Sequence, residues 1–402
     1  MKAKYAAPRT RRARTRLLSA RRSLKMAASA HAYVRGNTAQ FYEWLESAGG
    51  RQIPVGPDIW ICGDCHIGNL GPVSDSDGNV EVQIRDLDQT VIGNPSHDIV
   101  RLGLSLAMVA RGSDLPGVTT ARMLEAAMAG YRRALTSKVE RYSAPAIINK
   151  TFKNALRRRW RHLAQERLED VSPSIPIGKT FWPLLKSERS AVARLFREEL
   201  LRVLLTKLRH RDSDSGVVLL DAAYWVKGCS SLGGMRMVAL AGIGANEQNV
   251  DQADLCLVDI KQAVMAAAPR SAEVAMPRDN AERVVTGARH LSPHLGERML
   301  ATRFADAPVF IRELLPQDIK FDIRRLTYED AIGVARYLAH VVGRAHWRQM
   351  DSGTKRVWTN ELSRAYSKSL DAPSWLWTSV VDLVARHEAG YLAHCRKYAI
   401  AE

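Results

Sequence analysis

The stretch "GDCHIGNLG" places Asp64, His66 and Asn69 within six positions, directly after the apolar run "IWIC". A second stretch, "QIRDLDQT", carries Asp86 and Asp88. Carboxylate and carboxamide oxygens are the ligands that a hard cation such as Mg²⁺ takes. If the two stretches end neighbouring strands, Asn69 and Asp86 can hold Mg²⁺ at the phosphates of a nucleotide, with Asp88 as a further ligand. Asp64, free of metal, then orients or deprotonates a hydroxyl. His66 polarises the reacting group or braces the loop.

A third segment, "VKGCSSLGGMRMVAL", reads as a strand, a glycine-rich turn and a return strand. Around Gly228, Ser231, Gly233 and Gly234, backbone amides can approach phosphate oxygens. Lys261, late in the strand "LVDIKQA", can reach the α- or β-phosphate of ATP. By spacing, Glu282 in "NAERVV" is the carboxylate best placed to hold that lysine, with Glu273 second. Arg312 and Lys320 stand in "FIRELLPQDIK". Arg312 contacts phosphate or an acidic acceptor, or else anchors a surface carboxylate.

These groups need elements to position them. A helical rhythm runs over 22–47, weakened by Gly36. A short strand over 58–62 follows, then a hairpin turning at Asp77-Gly78 in which Val80, Val82 and Ile84 alternate with polar neighbours. Residues 99–211 are almost entirely helix-like, and Val192, Leu195, Phe196, Leu200, Val203 and Leu204 trace one buried stripe. Residues 217–262 read as strands, followed by a helix over 280–290 with Asp279 as N-cap. Two more strands, "RMLATRF" and "PVFIRELL", precede helices from Thr327 on. Helices, sheet, helices in that order predict an α+β protein.

The bulk properties suit a globular chain. Its 402 residues are 46% hydrophobic and 25% charged, enough for two or three domain-sized units. No window approaches the ~18 apolar residues of a membrane span, and the N-terminus lacks the apolar core of a secretory signal. Five scattered cysteines suit a reducing compartment, so the expected location is cytoplasmic. Of the net charge of +17, ten Lys or Arg fall in residues 1–25, where there is no acid. Such a segment is a solvated, partly disordered tail, or an arm for nucleic acid, an acidic partner or a membrane surface.

Seven segments, "KMAASAHAYVRG", "GDCHIGNLG", "RDLDQT…HDIVRLGLSLAMVAR", "GCSSLGG", "VDIKQA", "FIRELLPQDIK" and "GRAHWRQMD", together resemble the bacterial family known as domain of unknown function 2252. They run in one order over residues 20–355. The "GD-x-H-x-x-N…D-x-D…D" core is also similar to the catalytic segment of aminoglycoside phosphotransferases and choline kinases. That resemblance implies Asp64 as catalytic aspartate, Asn69 and Asp86 as metal ligands, and Asp98 as the helix aspartate that braces the loop. It implies a two-lobed, protein kinase-like fold with a mainly helical large lobe and a small antiparallel-sheet lobe. In such kinases the glycine-rich loop and lysine precede the catalytic loop; here they follow it, so the expected fold is circularly permuted. The implied division is a basic arm and helical extension over 1–56, the catalytic segment and large lobe over 57–215, the sheet lobe over 216–325, and completing helices over 326–402. Ser230 and Gln262 depart from the pattern, the first where a loop glycine is expected and the second where an acid follows the lysine. The implied activity is ATP- and Mg²⁺-dependent phosphoryl or nucleotidyl transfer to a hydroxyl whose carrier stays open: a small molecule, a protein or an RNA end.

Other readings compete. "GDCH" also resembles the first block of binuclear metallophosphoesterases, whose later blocks are missing apart from the weak "RHLSPH". Cys62 and Cys65 form half a zinc site or a redox pair, or simply pack. "RRRWRH" at 157–162 suits a single-stranded nucleic-acid surface or a solvated helix face. From a different class altogether, the chain is a non-catalytic nucleotide-fold protein that holds nucleic acid through its basic arm.

Overall fold

A computed structural model describes residues 7–47, 49–136, 142–168, 174–229, 232–244, 253–271, 273–321, 326–364 and 373–398. Ser230 and Ser231 lie outside the described residues. No helix among them is long and apolar enough to cross a membrane.

The expected helix over 22–47 is broken into pieces. α1 (Arg11–Ala27), α2 (Ala30–Gly36) and α3 (Thr38–Leu45) are separated at Ser29, which caps α2 through its hydroxyl, and at Asn37. α1 is not a solvated tail. Arg14 is buried and donates to Glu188 Oε2 at 2.7 Å and to Pro183 O at 2.5 Å, while Leu18 enters the core beside the sheet.

Four short strands carry the acidic segments: β1 (Ile59–Ile61), β2 (Leu70–Ser74), β3 (Val80–Ile84) and β4 (Val91–Gly93). β1 pairs antiparallel with β4, and β2 with β3 across the expected Asp77-Gly78 turn, where Gly78 has φ +89°. This pairing sets the loop between β1 and β2 beside the loop between β3 and β4.

Helices α4 (Ser96–Gly112), α5 (Gly117–Thr136), α6 (Ala146–Arg157) and α7 (Trp160–Leu168) follow, then β5 (Phe181–Trp182), α8 (Lys186–Leu195) and α9 (Glu199–Thr206). The stripe expected over 192–204 is not continuous. Val192 and Leu195 are buried in α8, but α9 turns Leu200 and Val203 outward, 61% and 50% exposed. Glu198, extended between the two helices, resets the helical phase.

β6 (Val217–Trp225), β7 (Arg236–Ile243) and β8 (Asp254–Gln262) are the expected central strands. α10 (Asn280–Leu291), capped by Asp279, and α11 (Pro293–Gly296) precede β9 (Met299–Phe304) and β10 (Ala307–Leu314). The six strands form one sheet in the order β5-β6-β7-β8-β10-β9, antiparallel at every pairing. Because β5 joins this sheet and α8 and α9 pack on it, residues 181–206 belong with the sheet, not with the helical body. α12 (Tyr328–Trp347), α13 (Ser352–Arg364) and α14 (Ser374–Tyr398) complete the chain, and α12 lies along α5 and α4.

Strand periodicity assigns the two faces of the sheet. Met237, Ala239, Ala241, Cys256, Val258 and Ile260 point to the core shared with α1, α8 and α9. Val238, Leu240 and Leu257 point to the other face. At the end of that second face the pattern turns polar: Arg236 on β7, Asp259 and Lys261 on β8, and Arg312 on β10. Register puts Arg236 opposite Lys261 and Arg312 opposite Asp259.

Candidate active site at the loop–sheet junction

Leaving β1, the chain makes a turn that only glycine allows. Gly63 has φ +75°, and a Cβ there would stand 2.1 Å from Gln89 O. Its neighbours are held from three sides. Asp98, at the start of α4, accepts from Cys62 N at 2.7 Å and Gly63 N at 3.0 Å. Tyr42 Oη donates to Gly63 O at 2.6 Å, and Thr90 Oγ1 to Ile61 O at 2.6 Å.

The fixed loop presents Asp64, His66 and Asn69, all buried. Arg101, one turn beyond Asp98 on α4, donates to Asp64 Oδ1 from Nε at 2.9 Å and approaches it with Nη2 at 2.8 Å. Oδ2 is left facing His66 Nε2, 4.0 Å away. Burial pushes the Asp64 carboxyl up; Arg101 opposes this and Asp86 adds to it. Burial likewise drives the His66 imidazole well below its ordinary value, assisted by Arg35 and Arg101. Asn69 Nδ2 donates to Asp64 O at 3.0 Å, and among the described residues its Oδ1 accepts no hydrogen bond.

The neighbouring loop brings Asp86 and Asp88, and Arg85 N donates to Asn69 O at 2.7 Å where the two loops join. Asp86 is half exposed in its side chain yet surrounded by charge, as in a recess. Lys261 reaches it from the sheet: Nζ is ion-paired with Asp88 Oδ2 and lies 3.8 Å from Asp86 Oδ1. Burial would raise both carboxyls. For Asp86, Lys261 and Arg312 outweigh it and hold the group down; for Asp88, burial and the Asp86 charge win and push it up. Asp88 Oδ1 is buried with no hydrogen-bond partner.

Arg312 serves a different purpose from phosphate contact in this structure. Its Nη1 donates to Arg85 O at 3.0 Å and its Nε lies 3.5 Å from Asp259 Oδ2, so it ties the Asp86 loop to the sheet. Asp259 also takes both arms of Arg236 at 2.8 and 2.5 Å.

Glu282 does not hold Lys261. The inner face of α10 is Ala281, Val284, Val285 and Ala288, which leaves Glu282 exposed to solvent. The next residue, Arg283, is the one that turns inward: it donates to Asp88 O at 3.0 Å, to Val264 O at 2.9 Å and to Thr90 O. The helix thus grips the acidic loop by its backbone, and the loop supplies the lysine's carboxylate.

The glycine-rich turn has left-handed backbone at Gly228 (φ +114°) and Gly233 (φ +112°). Lys25 Nζ donates to Gly228 O at 2.8 Å, Tyr224 Oη to Gly234 O at 2.9 Å, and a Cβ on Gly233 would lie 3.6 Å from Ser19 Oγ. α1 therefore lies along this turn. Beside the turn, Lys227 sits over the Trp225 ring at 3.9 Å, and burial with Arg167 and Arg236 nearby pushes its ammonium down to about 5.

Cys62, Cys65 and Asp98 do gather, with ligand atoms within 4.8 Å of one another. Both Asp98 oxygens already accept backbone amides, so the trio reads as packing behind the loop. Sequence reasoning missed Arg101, Arg236, Asp259 and Arg283. For Arg101 a signal was present, because it follows the proposed bracing aspartate by three positions and so shares its helix face.

No curated protein and no solved structure matches the chain. A family model does, over residues 14–397, and it covers every group described above. The chain belongs to that family, domain of unknown function 2252, described as uncharacterised proteins conserved in bacteria.

Proposed function

We propose that the chain binds ATP with Mg²⁺ between the sheet and the two acidic loops and transfers a phosphoryl group to a hydroxyl. One observation carries this reading: Lys261, on the third strand of a strand–glycine turn–strand–strand–helix unit, meets Asp86 and Asp88 from a loop far away in the chain. A lysine on the strand after a glycine-rich hairpin, opposite metal-binding carboxylates, is the arrangement by which kinases grip a triphosphate. The permuted, two-lobed kinase-like fold is part of this proposal, with residues 326–350 as the helix leading into the catalytic loop from the other end of the chain.

The residues suit the cation. Asn69 Oδ1, Asp86 and Asp88 offer hard oxygens, and the orphaned Asp88 Oδ1 lacks a partner that a cation would supply. Bound there, Mg²⁺ would neutralise charge on the phosphates. Lys261 would exchange its carboxylates for phosphate oxygens. Asp64 Oδ2 would accept a hydrogen bond from the acceptor hydroxyl while Arg101 fixes Oδ1. The hydroxyl oxygen bonds to the γ-phosphorus, the bond from that phosphorus to the β–γ bridging oxygen breaks, the proton passes to Asp64, and ADP leaves.

The test is thermal stability with ATP, with and without Mg²⁺, followed by ADP formation. The expected result is a Mg²⁺-dependent rise in Tm that Asp86→Asn abolishes, and turnover that Asp64→Asn abolishes while keeping the rise. A nucleotide without effect, or an equal effect in Asp86→Asn, overturns the reading.

A further inference from the structure

A triphosphate on Lys261 leaves a second group of cations unexplained. Next to the Asp86 loop, a cleft of about 630 Å³ is lined by Arg157, Arg158, Arg167, Lys320, His162 and Glu166, among others. Four side chains there are cationic and one is a carboxylate. Glu166 is shared, its Oε2 taken by Arg158 and its Oε1 lying 3.0 Å from Arg167 Nη2, so the surplus is positive.

The cleft and the acidic loop share a wall. Arg158 Nε donates to Pro316 O at 2.7 Å, and Arg85 Nη2 donates to Asp318 O at 2.5 Å. The segment through Pro316, Asp318 and Lys320 thus runs from the cleft to the residue preceding Asp86. Arg85 keeps Nε and Nη1 buried without a partner, as Arg167 does its Nε. The crowding is felt electrostatically. Desolvation within the cleft, with Arg35, Arg85 and Arg167 around it, brings Lys320 down to about 8 although the residue opens to solvent. A buried donor with no acceptor is costly, and an anion in the cleft would satisfy that of Arg167, which lines it.

The elements here, α6, α7 and the segment after β10, differ from those that carry Lys261 and the glycine turn. The size is that of a small-molecule pocket, about 300–1,000 Å³. Among the described residues its lining has no Phe, Tyr or Trp on which bases could stack. We infer that this cleft holds the acceptor, a small molecule bearing a phosphate group, with Arg167 and Lys320 on the phosphate and the Pro316–Lys320 segment, held by Arg85, between it and Asp86. The inference rests on the phosphotransferase reading and names the substrate class of that site.

The test uses the full chain with a saturating non-hydrolysable ATP analogue and Mg²⁺, into which inorganic pyrophosphate is titrated and read by thermal shift and calorimetry. Pyrophosphate is expected to stabilise the complex further, and Lys320→Gln or Arg167→Gln to weaken it by about tenfold or more. The analogue's own Mg²⁺-dependent shift stays unchanged in both variants. Lys320 is exposed, so its substitution leaves the fold in place. Displacement of the analogue by pyrophosphate, wild-type affinity in both variants, or equal loss in Arg12→Gln on the exposed face of α1 overturns the inference. A response to pyrophosphate that needs Lys320, in a chain blind to the analogue, supports the anion site and overturns the phosphotransferase reading instead.

Discussion

His346 Nε2 lies 3.1 Å from Asp98 Oδ2, and both side chains are fully buried. They join α12 to the root of the Asp64 loop across most of the chain. The link continues backward. With Nε2 donating, His346 Nδ1 accepts from Tyr131 Oη at 2.8 Å, and that oxygen accepts from Trp358 Nε1 at 3.2 Å. Every donor in the row points toward the carboxylate that also takes Cys62 N and Gly63 N.

Asp98→Ala is therefore expected to cost about 3–5 kcal/mol, because it leaves three donors buried without an acceptor. Tyr131→Phe, which removes one partner of His346, costs about 1–3 kcal/mol. Urea unfolding measures both. A loss under about 1 kcal/mol for Asp98→Ala would show that the loop stands without its brace.

Arg101 makes a pH-dependent prediction. It is 1% exposed and meets Asp64 on Oδ1, so Arg101→Met strands a buried carboxylate and costs about 3–5 kcal/mol near neutral pH. Burial already raises the Asp64 carboxyl in the native chain, and the variant raises it further. Between the unfolded and folded pKa values the native state binds more protons than the unfolded state, so stability falls as pH rises through that window. The gap between Arg101→Met and the native chain should thus narrow as pH is lowered from about 8 to about 5. A constant gap would mean that Asp64 is not the group left unpaired.

Much of this arrangement is legible in the amino-acid order, for definite reasons. Alternation in "VEVQI" and "LCLVDIKQA", the Asp77-Gly78 turn and the Asp279 cap are local signals, and local structure follows them. Partners across the chain are not local. "PRTRRARTR" reads as a tail because its own composition contains no acid, yet Glu188, 174 positions away, buries Arg14. Glu282 and Arg283 are adjacent, but a helix turns about 100° per residue, so which of them faces the site depends on a phase fixed by Ala281, Val284 and Val285. Arg101 sits among the apolar residues Ile99, Val100, Leu102 and Leu104 of α4, where an arginine looks like a solvated edge until Asp64 is seen beneath it.

Lys261 gives the prediction that bears most directly on the cation. Its ammonium stands between Asp86 and Asp88, and Lys261→Met keeps the length while removing the charge. Two carboxylates are then left facing each other, with Arg312 and Arg236 as the remaining cations acting on Asp86. The Asp88 carboxyl, already raised by burial and by Asp86, rises further without the ammonium, so the variant loses stability as pH climbs between its unfolded and folded pKa values. Mg²⁺ can replace the missing charge. In the native chain it must compete with the ammonium; in Lys261→Met it need not. Mg²⁺ alone should stabilise the variant by about 1.4 kcal/mol at ten times its Kd, and at the same concentration stabilise the native chain less. Adding Asp86→Asn should remove the response. An equal Mg²⁺ effect in all three proteins, read by thermal unfolding at fixed ionic strength, would mean that these oxygens do not form a cation site.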